Sequence, residues 1–408
     1  MNTIVIGSGM SGLTAAATLA QRGHTVTLIE QNRQPGGVTQ GYEQDGFKWD
    51  LGQLLILGLG ADEPVGRILN QLGVLDRIQV VKDDRGYVFP DFELRKPEEY
   101  GGIRWRIEAL KRLFPEDANG LDRYWKDYLR FTRLMTFGDR IETTAGLAAQ
   151  AAKARLYLTL LPFIPRKDWS AQRLMESYFK SPKLQSVFIS ILADFFTPPS
   201  QFLGLGVFAL NPESSFEKRM PKTLAPDAVQ TDHYSILGGI RTLVDALVTR
   251  IQESGGKVLT GCTVERILVE SGRVAGVATK DGQRMDADAV IASGGVKETF
   301  FELVGEEHLT PELARAARET PLMDSIFMVH LGLDIDPRPY VHGVCTYYYG
   351  TYDIESGITE AHQGIYHGGE KGFVVHVPTL HSPAMAPTGL HAMTIYTITP
   401  DTLKDGNW

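Results

Sequence analysis

The sequence predicts an α/β protein in which a Rossmann-like domain is interleaved with an α+β domain. Residues 1–30 alternate strand, glycine-rich turn, helix and strand, which is how such a domain begins. A second helix followed by strands returns far downstream, at residues 235–292. The residues between these two segments carry aromatic and helical patterns without repeats or low-complexity tracts, so we expect them to form a folded insertion.

The opening unit is predicted from the spacing of its apolar residues. Residues 3–6 (TIVI) form a short apolar strand, and residues 24–30 (HTVTLIE) form a second, β-branched strand. Residues 13–22 are rich in alanine and predict a helix, which Gly23 ends as a left-handed cap. The order strand, turn, helix, strand is that of a Rossmann-like unit.

The turn between strand and helix, GSGMSG at residues 7–12, predicts dinucleotide binding. Gly7 permits the tight turn, Gly9 lets a pyrophosphate approach the backbone, and Gly12 lets the helix pack on the strand. The phosphates then lie at the positive end of the helix. Glu30, at the end of the second strand, can accept hydrogen bonds from a ribose diol and would repel a 2′-phosphate, which disfavours NADP.

A second pair of glycines distinguishes FAD from NAD. Gly36 and Gly37 follow Glu30 closely, and a predicted hairpin with an Asp45–Gly46 turn comes after them. Taken alone, the pair is also compatible with an ordinary loop. Beside a dinucleotide turn, it lets a second loop press against the same phosphates and the ribityl chain of a flavin. We therefore predict FAD as the cofactor.

The downstream segment predicts the return of the chain to the same domain. Apolar residues recur at helical spacing over 240–253, and Gly238–Gly239 before them form a turn. Strands follow at residues 257–259, 263–269, 274–279 and 285–292. We predict a first FAD-binding segment, a substrate-domain insertion that faces the membrane surface, a second FAD-binding segment and a substrate-domain sheet, at residues 1–54, 55–234, 235–300 and 301–408.

These segments together resemble the carotenoid desaturases and isomerases, a family of FAD oxidoreductases that includes phytoene desaturases, prolycopene isomerases and retinol saturases. The resemblance is carried by VIGSGMSGLTAA, LIEQNRQPGG, GFKWDLG, SILGGIRTLVDAL and TVERILVESGRVAGVATKDGQRMDADAVIASGG. It implies a FAD-binding domain of the glutathione-reductase type. The cofactor-binding residues that it implies are Gly7, Gly9, Met10, Ser11, Gly12, Glu30, Gln31, Gly36, Gly37, Gly52, Gln53, Val264, Ser293 and Gly294.

The resemblance divides these residues along the cofactor. The glycines of the first turn and Glu30 would hold the AMP half of FAD, and Val264 would meet the adenine through its backbone. The second glycine pair would approach the ribityl chain and pyrophosphate, and Ser293–Gly294 would border the pyrophosphate. Gly52 and Gln53 would lie near the flavin ring.

The chain departs from the family pattern at two places. Amine oxidases of the wider superfamily carry a basic residue after the second glycine pair, whereas this chain has Val38, which disfavours amine oxidation. The family also closes with a glycine-rich strand and helix near the pyrimidine end of the flavin, which this sequence lacks. We therefore expect a C-terminally truncated sequence whose coding frame continues beyond Trp408.

Composition and charge exclude several other classes. The net charge of −8 argues against nucleic acid as a partner, because phosphate neutralisation needs a basic surface. Cys262 and Cys345 are far apart, which disfavours a disulfide scaffold and fits a cytoplasmic location. Most histidines fall at residues 330–391, with irregular spacing and without paired acids, so we predict no metal site.

The charge is unevenly distributed, since residues 101–183 carry 16 Lys/Arg against 9 Asp/Glu. Within this region, residues 156–169 (LYLTLLPFIPRKDW) place apolar and aromatic residues beside basic ones. Such a segment is compatible with an ordinary core helix. It is also compatible with peripheral contact at an anionic membrane surface, which an apolar substrate would make useful.

The resemblance implies an FAD-dependent oxidoreductase that desaturates, saturates or isomerises an apolar, carotenoid-like polyene. One alternative keeps the flavin but acts on an amine or, like protoporphyrinogen oxidase, on a tetrapyrrole precursor. Another is a non-catalytic lipid-binding protein on the same scaffold, like the Rab GDP dissociation inhibitors. Tyr347–Tyr349 and Tyr352 fit either a polyene slot or ordinary strand packing. The sequence identifies no catalytic residue.

Overall fold

The computed structural model describes residues 1–52, 54–82, 85–97, 104–211, 213, 232–321 and 325–408. The chain divides into two compact units. Unit 1 comprises Met1–Val81, Tyr234–Leu322 and His381–Thr388, and unit 2 comprises Lys82–His233, Met323–Leu380 and Gly389–Trp408. The four segment bounds inferred from the sequence stay a prediction.

The strands of the described residues are numbered in chain order. They are β1 (Asn2–Ile6), β2 (Thr25–Ile29), β3 (Gly41–Gln44), β4 (Phe47–Asp50), β5 (Ile56–Leu57), β6 (Val80–Lys82), β7 (Arg85–Val88), β8 (Glu93–Leu94), β9 (His233–Ile236), β10 (Lys257–Leu259), β11 (Val264–Glu270), β12 (Arg273–Thr279), β13 (Arg284–Asp286), β14 (Ala289–Ala292), β15 (Ser325–Leu333), β16 (Cys345–Tyr349), β17 (Gly372–His376) and β18 (His391–Thr399).

The α-helices are numbered in the same way. They are α1 (Met10–Gln21), α2 (Pro64–Gln71), α3 (Trp105–Leu113), α4 (Ala118–Thr143), α5 (Gly146–Leu160), α6 (Ala171–Tyr178), α7 (Pro182–Ile189), α8 (Gly206–Leu210), α9 (Arg241–Glu253), α10 (Pro311–Glu319) and α11 (Ile354–His362). None of these helices is both long and apolar enough to cross a membrane, within the part of the chain that the structure describes.

Unit 1 is built on a parallel sheet with the strand order β10-β2-β1-β14. Alternate side chains of β1 and β2 point to opposite faces, as the pleat requires. Val5 and Leu28 pack with α1 and α9 on one face. Ile4 and Ile29 pack against the antiparallel sheet β11-β12-β13 on the other face. This arrangement confirms the predicted Rossmann-like fold.

One predicted strand of unit 1 is wrong. Residues 285–292 were predicted as a single strand, but the structure forms β13 and β14 in two different sheets. Between them, Ala287 N donates to Ala275 O at 3.0 Å and Asp288 N donates to Asn2 O at 2.9 Å. The chain therefore passes from the antiparallel sheet to the parallel one within two residues, which an apolar pattern does not reveal.

Unit 2 contains a mixed sheet with the order β15-β18-β17-β16-β7-β8. The β16–β7 pair is parallel, and the neighbouring pairs are antiparallel. Helices α3 to α8 and α11 belong to the same unit. The predicted α+β character is confirmed. Strands β15 to β18 follow residue 324 in this sheet, and α11 lies between β16 and β17.

Candidate cofactor-binding site

The glycine-rich turn between β1 and α1 forms the base of the candidate site. Gly12 lies in the first turn of α1, where a Cβ atom would come within 2.0 Å of Gly7 O and 2.7 Å of Ser293 Oγ. A side chain at this position would overlap the backbone of the turn. The absence of a side chain at Gly12 thus lets helix and strand pack as closely as a Rossmann-like turn requires. α1 begins at Met10, earlier than predicted, because the last three residues of GSGMSG are already helical.

The N-terminus of α1 offers backbone donors to an anion. Gly9 is its N-cap, no side chain caps it, and its first turn carries no acidic residue. A Cβ built on Gly9 meets no described atom within 4 Å, so the space above it is open. Unpaired N–H groups and the helix dipole favour a phosphate there. Met10 and Ser11 continue this turn and line a largely apolar cavity of about 750 Å³.

Glu30 at the end of β2 is held by the turn itself. Its Oε2 accepts hydrogen bonds from Ser8 N at 2.9 Å and Ser8 Oγ at 2.5 Å, and its Oε1 accepts one from Asn32 N at 2.8 Å. A carboxylate accepts about four hydrogen bonds. Three protein donors therefore leave Glu30 the capacity to accept one more hydrogen bond, and its contact with a ribose diol stays a prediction. Gln31 beside it is exposed.

The second glycine pair presses on the first turn. Gly37 has a positive φ of 58°, and a Cβ at this position would lie 3.0 Å from Gly9 Cα. Gly36 N donates to both the carbonyl oxygen and the Oγ of Ser8, at 3.1 Å each. The second loop thus lies directly on the first glycine-rich turn, and its contact with the phosphates of a flavin stays a prediction.

Ser8 is the residue that the sequence interpretation missed. It is fully buried, and its hydroxyl joins Glu30 to the second glycine loop. A serine between two glycines is common in turns, so the sequence gives no sign that Ser8 connects Glu30 to the second glycine loop.

Gly52 closes the second loop from the other side. A Cβ on Gly52 would come within 2.1 Å of Val38 O, so the segment after β4 packs on the residue that follows the second glycine pair. Val38 itself is 80% exposed. Gln53 lies outside the described residues.

The remaining predicted residues come from β11 and β14. Ser293 Oγ donates to Ile6 O and Gly7 O, at 3.1 Å each, and so ties the end of β14 to the glycine turn. Gly294 follows it, and a Cβ there would lie 4.0 Å from Thr299 Oγ1, an ordinary van der Waals distance. Val264 is buried at the start of β11, and Cys262 N just before it donates to Glu30 O at 2.9 Å. The structure thus brings the described candidate residues together, and their roles as cofactor ligands stay a prediction.

Asp50 anchors the point where the chain returns to unit 1. Its Oδ1 accepts a hydrogen bond from Ile240 N at 2.9 Å, at the start of α9. A Cβ on Gly239, whose φ is 88°, would lie 2.7 Å from the same oxygen. Burial raises the pKa of Asp50 to about 6, while the hydrogen bond from Ile240 acts in the opposite direction. Gly238–Gly239 is therefore the turn between β9 and α9, as predicted.

Metal ligation is not indicated by the described residues. In that part of the chain, no three histidine, cysteine or acidic side chains come together in a way that could hold a metal ion.

Comparison with known proteins assigns the family. The model of the family described as "Flavin containing amine oxidoreductase" matches residues 10–365. The chain belongs to the flavin-containing amine oxidoreductases. This membership confirms FAD as the cofactor. The open helix N-terminus at Gly9 and the remaining acceptor capacity of Glu30 are compatible with its phosphates and ribose.

Two relatives act on carotenoids, according to their names. The chain is 25% identical over 407 residues to prolycopene isomerase 1, chloroplastic, of an Oncidium hybrid cultivar, with 97% of this chain and 64% of that protein covered. It is 24% identical over 439 residues to the zeta-carotene-forming phytoene desaturase of Myxococcus xanthus, with 99% and 73% covered. The resemblance found in the sequence is confirmed. The chain spans less than two thirds of the length of the prolycopene isomerase.

The fold is shared with a solved structure of a Pyrococcus furiosus protein. The TM-score is 0.64 at 17% sequence identity, with 98% of this chain and 81% of that chain covered. At this identity the likeness supports the fold alone.

Proposed function

We propose that the protein is an FAD-dependent oxidoreductase that acts on carbon–carbon bonds of an apolar isoprenoid, by desaturation, saturation or isomerisation of a polyene. The observation that carries this proposal is the contact between the second glycine loop and the first turn, where Gly37 approaches Gly9 Cα. A single glycine-rich turn that binds phosphate is compatible with any dinucleotide. The second loop pressed on it favours a flavin, and the carotenoid enzymes among the relatives favour an isoprenoid substrate.

The residues of unit 1 hold and orient the cofactor. The N-terminal donors of α1 would bind the pyrophosphate, and Glu30 would accept a hydrogen bond from the ribose. Ser8 would hold both parts in position, because it bonds to Glu30 and to the second loop. When bound, FAD supplies the hydride transfer at the substrate bond.

An isoprenoid is favoured over an amine by the relatives and by Val38. Both relatives named above are carotenoid enzymes, and Val38 replaces the basic residue of the amine oxidases. Amine oxidation remains the second candidate, because the family model is described by that activity.

The proposal is tested with purified protein reconstituted with FAD. The bound flavin is mixed anaerobically, in its oxidised and reduced forms, with an acyclic carotenoid and separately with a primary diamine. We expect chromatography to show a product with more, fewer or isomerised double bonds with the carotenoid only. The flavin absorbance should change when the product has gained or lost a double bond, and return to its starting value when the double bonds are isomerised. A flavin that responds to the amine alone would overturn the isoprenoid proposal, and a folded protein without flavin uptake would overturn oxidoreduction altogether.

We also propose that residues 156–169 contact a membrane surface peripherally. Tyr157, Leu158 and Leu161 are 70%, 68% and 56% exposed. Large apolar side chains in water are unfavourable, so their exposure on consecutive turns favours an apolar environment. Lys153 and Arg155 on the same helix are exposed and suit anionic headgroups.

This segment is held in place by a polar network. Arg166 donates to Asp127 Oδ2 at 2.9 Å and to Tyr178 Oη at 2.7 Å, while Tyr178 Oη donates to the same aspartate oxygen at 2.6 Å. These bonds fix the end of the segment, in which Phe163 is buried whereas Tyr157, Leu158 and Leu161 face outward.

Flotation with vesicles tests the membrane contact. We expect wild-type protein to float with vesicles that contain phosphatidylserine, and the Leu158→Glu, Leu161→Glu double variant to stay in the dense fraction. Ile335→Glu is the matched control, because Ile335 is 58% exposed elsewhere in unit 2. Equal flotation of the double variant and wild type would contradict the proposal.

A further inference from the structure

A second candidate site lies entirely in unit 2, in a pocket of about 730 Å³. One wall is formed by β8 and the residues that follow it, up to Pro97. The other wall is formed by Arg104 and the helix α3 that begins after it. None of the described residues that line this pocket belongs to the candidate cofactor site, so the pocket is free to bind a ligand of its own.

The spacing of side chains along α3 gives its wall two rows, one charged and one apolar. Residues four apart lie above one another on a helix face. The rows are Arg104, Glu108 and Arg112, and beside them Trp105, Ala109 and Leu113. Ile107 and Leu110 lie on the opposite side of the helix and are fully buried. The pocket therefore offers charge and apolar surface side by side, as an amphiphilic ligand requires.

The two carboxylates that line the pocket already have partners. A hydrogen bond joins Glu93 Oε2 to His342 Nε2 at 2.8 Å. Glu108 Oε1 forms ion pairs with Arg104 at 3.0 Å and with Lys111 at 3.5 Å. The negative charges of the pocket are therefore engaged with other groups than its two remaining arginines.

Those two arginines, Arg95 and Arg112, have no counter-charge. In the part of the chain that the structure describes, their guanidinium groups form no ion pair and no hydrogen bond. Both side chains are exposed, and they belong to opposite walls, since Arg95 follows β8 and Arg112 lies in the last turn of α3. The pocket therefore presents two cationic groups to an anion that enters from solvent.

These groups together favour a phosphate that is carried on an apolar chain. Planar guanidinium groups bind phosphate oxygens through parallel N–H donors. Leu113 is 44% exposed, so an apolar part of the ligand gains free energy by covering it. Nucleic acid fits poorly, because the ring of Trp105 is only 9% exposed and offers no face on which a base can stack.

A membrane is a source of such a ligand, and the charge of the surrounding chain favours it. The helix α3 belongs to the basic region of residues 101–183, which carries 16 Lys/Arg against 9 Asp/Glu in a chain whose net charge is −8. A basic region of this kind is attracted to an anionic lipid surface.

We propose that this pocket binds the phosphate of an anionic membrane phospholipid, with Arg95 and Arg112 as the phosphate ligands. The apolar row of α3 contacts the glycerol and the first carbons of the acyl chains. The site goes beyond the oxidoreductase function proposed above, because the lipid is bound and not converted. It is also distinct from the exposed segment at residues 156–169, none of which lines the pocket.

The test titrates the full chain, with FAD present, in a calorimeter with three water-soluble probes. Dihexanoyl phosphatidate carries both the phosphate and the apolar chains. Dihexanoyl phosphatidylcholine carries the same chains without net charge, and inorganic phosphate carries no chain. We expect saturable binding of one phosphatidate per chain, at least roughly tenfold tighter than the binding of either other probe.

Variants of the two arginines locate the site. The Arg95→Gln, Arg112→Gln double variant should bind phosphatidate roughly a hundredfold more weakly, about tenfold for each lost guanidinium group. Its circular dichroism should match that of wild type, because both side chains are exposed. The Lys126→Gln, Arg133→Gln double variant is the matched control, since it removes the same charge from exposed positions of α4 that do not line the pocket. It should keep the wild-type affinity.

A third double variant separates this pocket from the exposed apolar segment. Leu158→Glu, Leu161→Glu should bind the soluble phosphatidate like wild type, because the probe is offered without a membrane surface. Loss of binding in this variant would assign the lipid to residues 156–169 and overturn the proposal.

Three further outcomes would contradict the lipid site. One is a wild type without saturable binding of phosphatidate, and another is an Arg95→Gln, Arg112→Gln variant that binds it like wild type. The third is a probe with only one of the two chemical features that binds as tightly as phosphatidate. Inorganic phosphate in that role would assign the pocket to a soluble phosphate, and phosphatidylcholine would show that the arginines select nothing.

Discussion

Two sites are built in opposite ways: the cofactor cradle of unit 1 (Gly7–Gly12, Glu30 and Gly36–Gly37) and the Asp194 cluster of unit 2 (Asp194, Tyr347 and Tyr396). The cradle consists mainly of backbone, in which glycines at fixed spacing bring a turn, a helix end and a second loop together. The cluster consists of side chains from three distant segments, since Asp194 lies 153 residues from Tyr347 and 202 from Tyr396. A site formed by backbone groups is specified by a short stretch of sequence. A site formed by side chains from distant segments depends on how all the strands of a sheet are aligned.

The largest effect is expected from a methyl group at two glycines of the cradle. Gly12→Ala places Cβ 2.0 Å from Gly7 O, so we expect it to lower the free energy of unfolding by about 3 kcal/mol or more. Gly9→Ala meets no described atom within 4 Å, so the fold should stay within about 0.5 kcal/mol of wild type. FAD affinity should nevertheless fall, by roughly tenfold or more, which corresponds to about 1.4 kcal/mol.

Denaturant unfolding and FAD titration separate the two variants. If Gly9→Ala lowers the free energy of unfolding as much as Gly12→Ala does, the space above Gly9 is filled by the protein and is not open to the cofactor.

A second prediction concerns the side chain that connects the parts of the cradle. Ser8→Ala removes the hydroxyl that donates to Glu30 and accepts from Gly36, so we expect a loss of about 1–3 kcal/mol and weaker FAD binding. Thr18→Val is the control, because the Thr18 hydroxyl bonds only within α1, to Thr14 O at 2.7 Å, among the contacts described. A Ser8→Ala variant as stable as Thr18→Val would contradict the bridging role of Ser8.

The pH dependence of stability tests the buried acid of unit 1. The pKa of Asp50 is about 6 in the folded chain against an ordinary 3.8, so the unfolded chain loses this proton first as pH rises. Asp50 therefore lowers the free energy of unfolding progressively between about pH 4 and 6, by about 3 kcal/mol in total, and the penalty is absent at lower pH. Asp50→Asn should flatten this part of the profile.

Asp281→Asn provides a control of opposite sign in the same unit. The hydrogen bond from Thr279 lowers the pKa of Asp281, so its contribution is present above its ordinary pKa and is lost as pH falls. Urea unfolding at a series of pH values distinguishes the two. A slope between pH 4 and 6 that is as steep in Asp50→Asn as in wild type would show that this carboxyl is not one of its sources.

The smallest effect is expected at the exposed apolar segment of unit 2. Leu158 is 68% exposed, so Leu158→Ser should change the free energy of unfolding by less than about 0.5 kcal/mol. Leu184 of α7 is fully buried, and Leu184→Ala should cost about 2–5 kcal/mol. Similar losses in both variants would mean that the segment packs on the protein and is not free to meet a membrane.

The sequence was sufficient to predict the parts of the fold in which neighbours along the chain are neighbours in space. The strand–turn–helix unit, the Asp45–Gly46 hairpin and α9 fall in this class, since periodicity and turn residues specify them. The division between β13 and β14 could not be predicted, because apolar alternation does not say which sheet a strand joins. Ser8 and Asp194 were missed for a related reason, as their partners are fixed by packing and register.

Titration of the flavin-free protein with FAD, followed by the quenching of flavin fluorescence, tests the central claim most directly. We predict saturable binding of one FAD per chain by wild type, with the affinity clearly reduced in Gly9→Ala and the fold of both proteins intact by circular dichroism. A folded wild type that leaves the fluorescence of FAD unchanged would contradict the assignment of the two glycine loops to a flavin site.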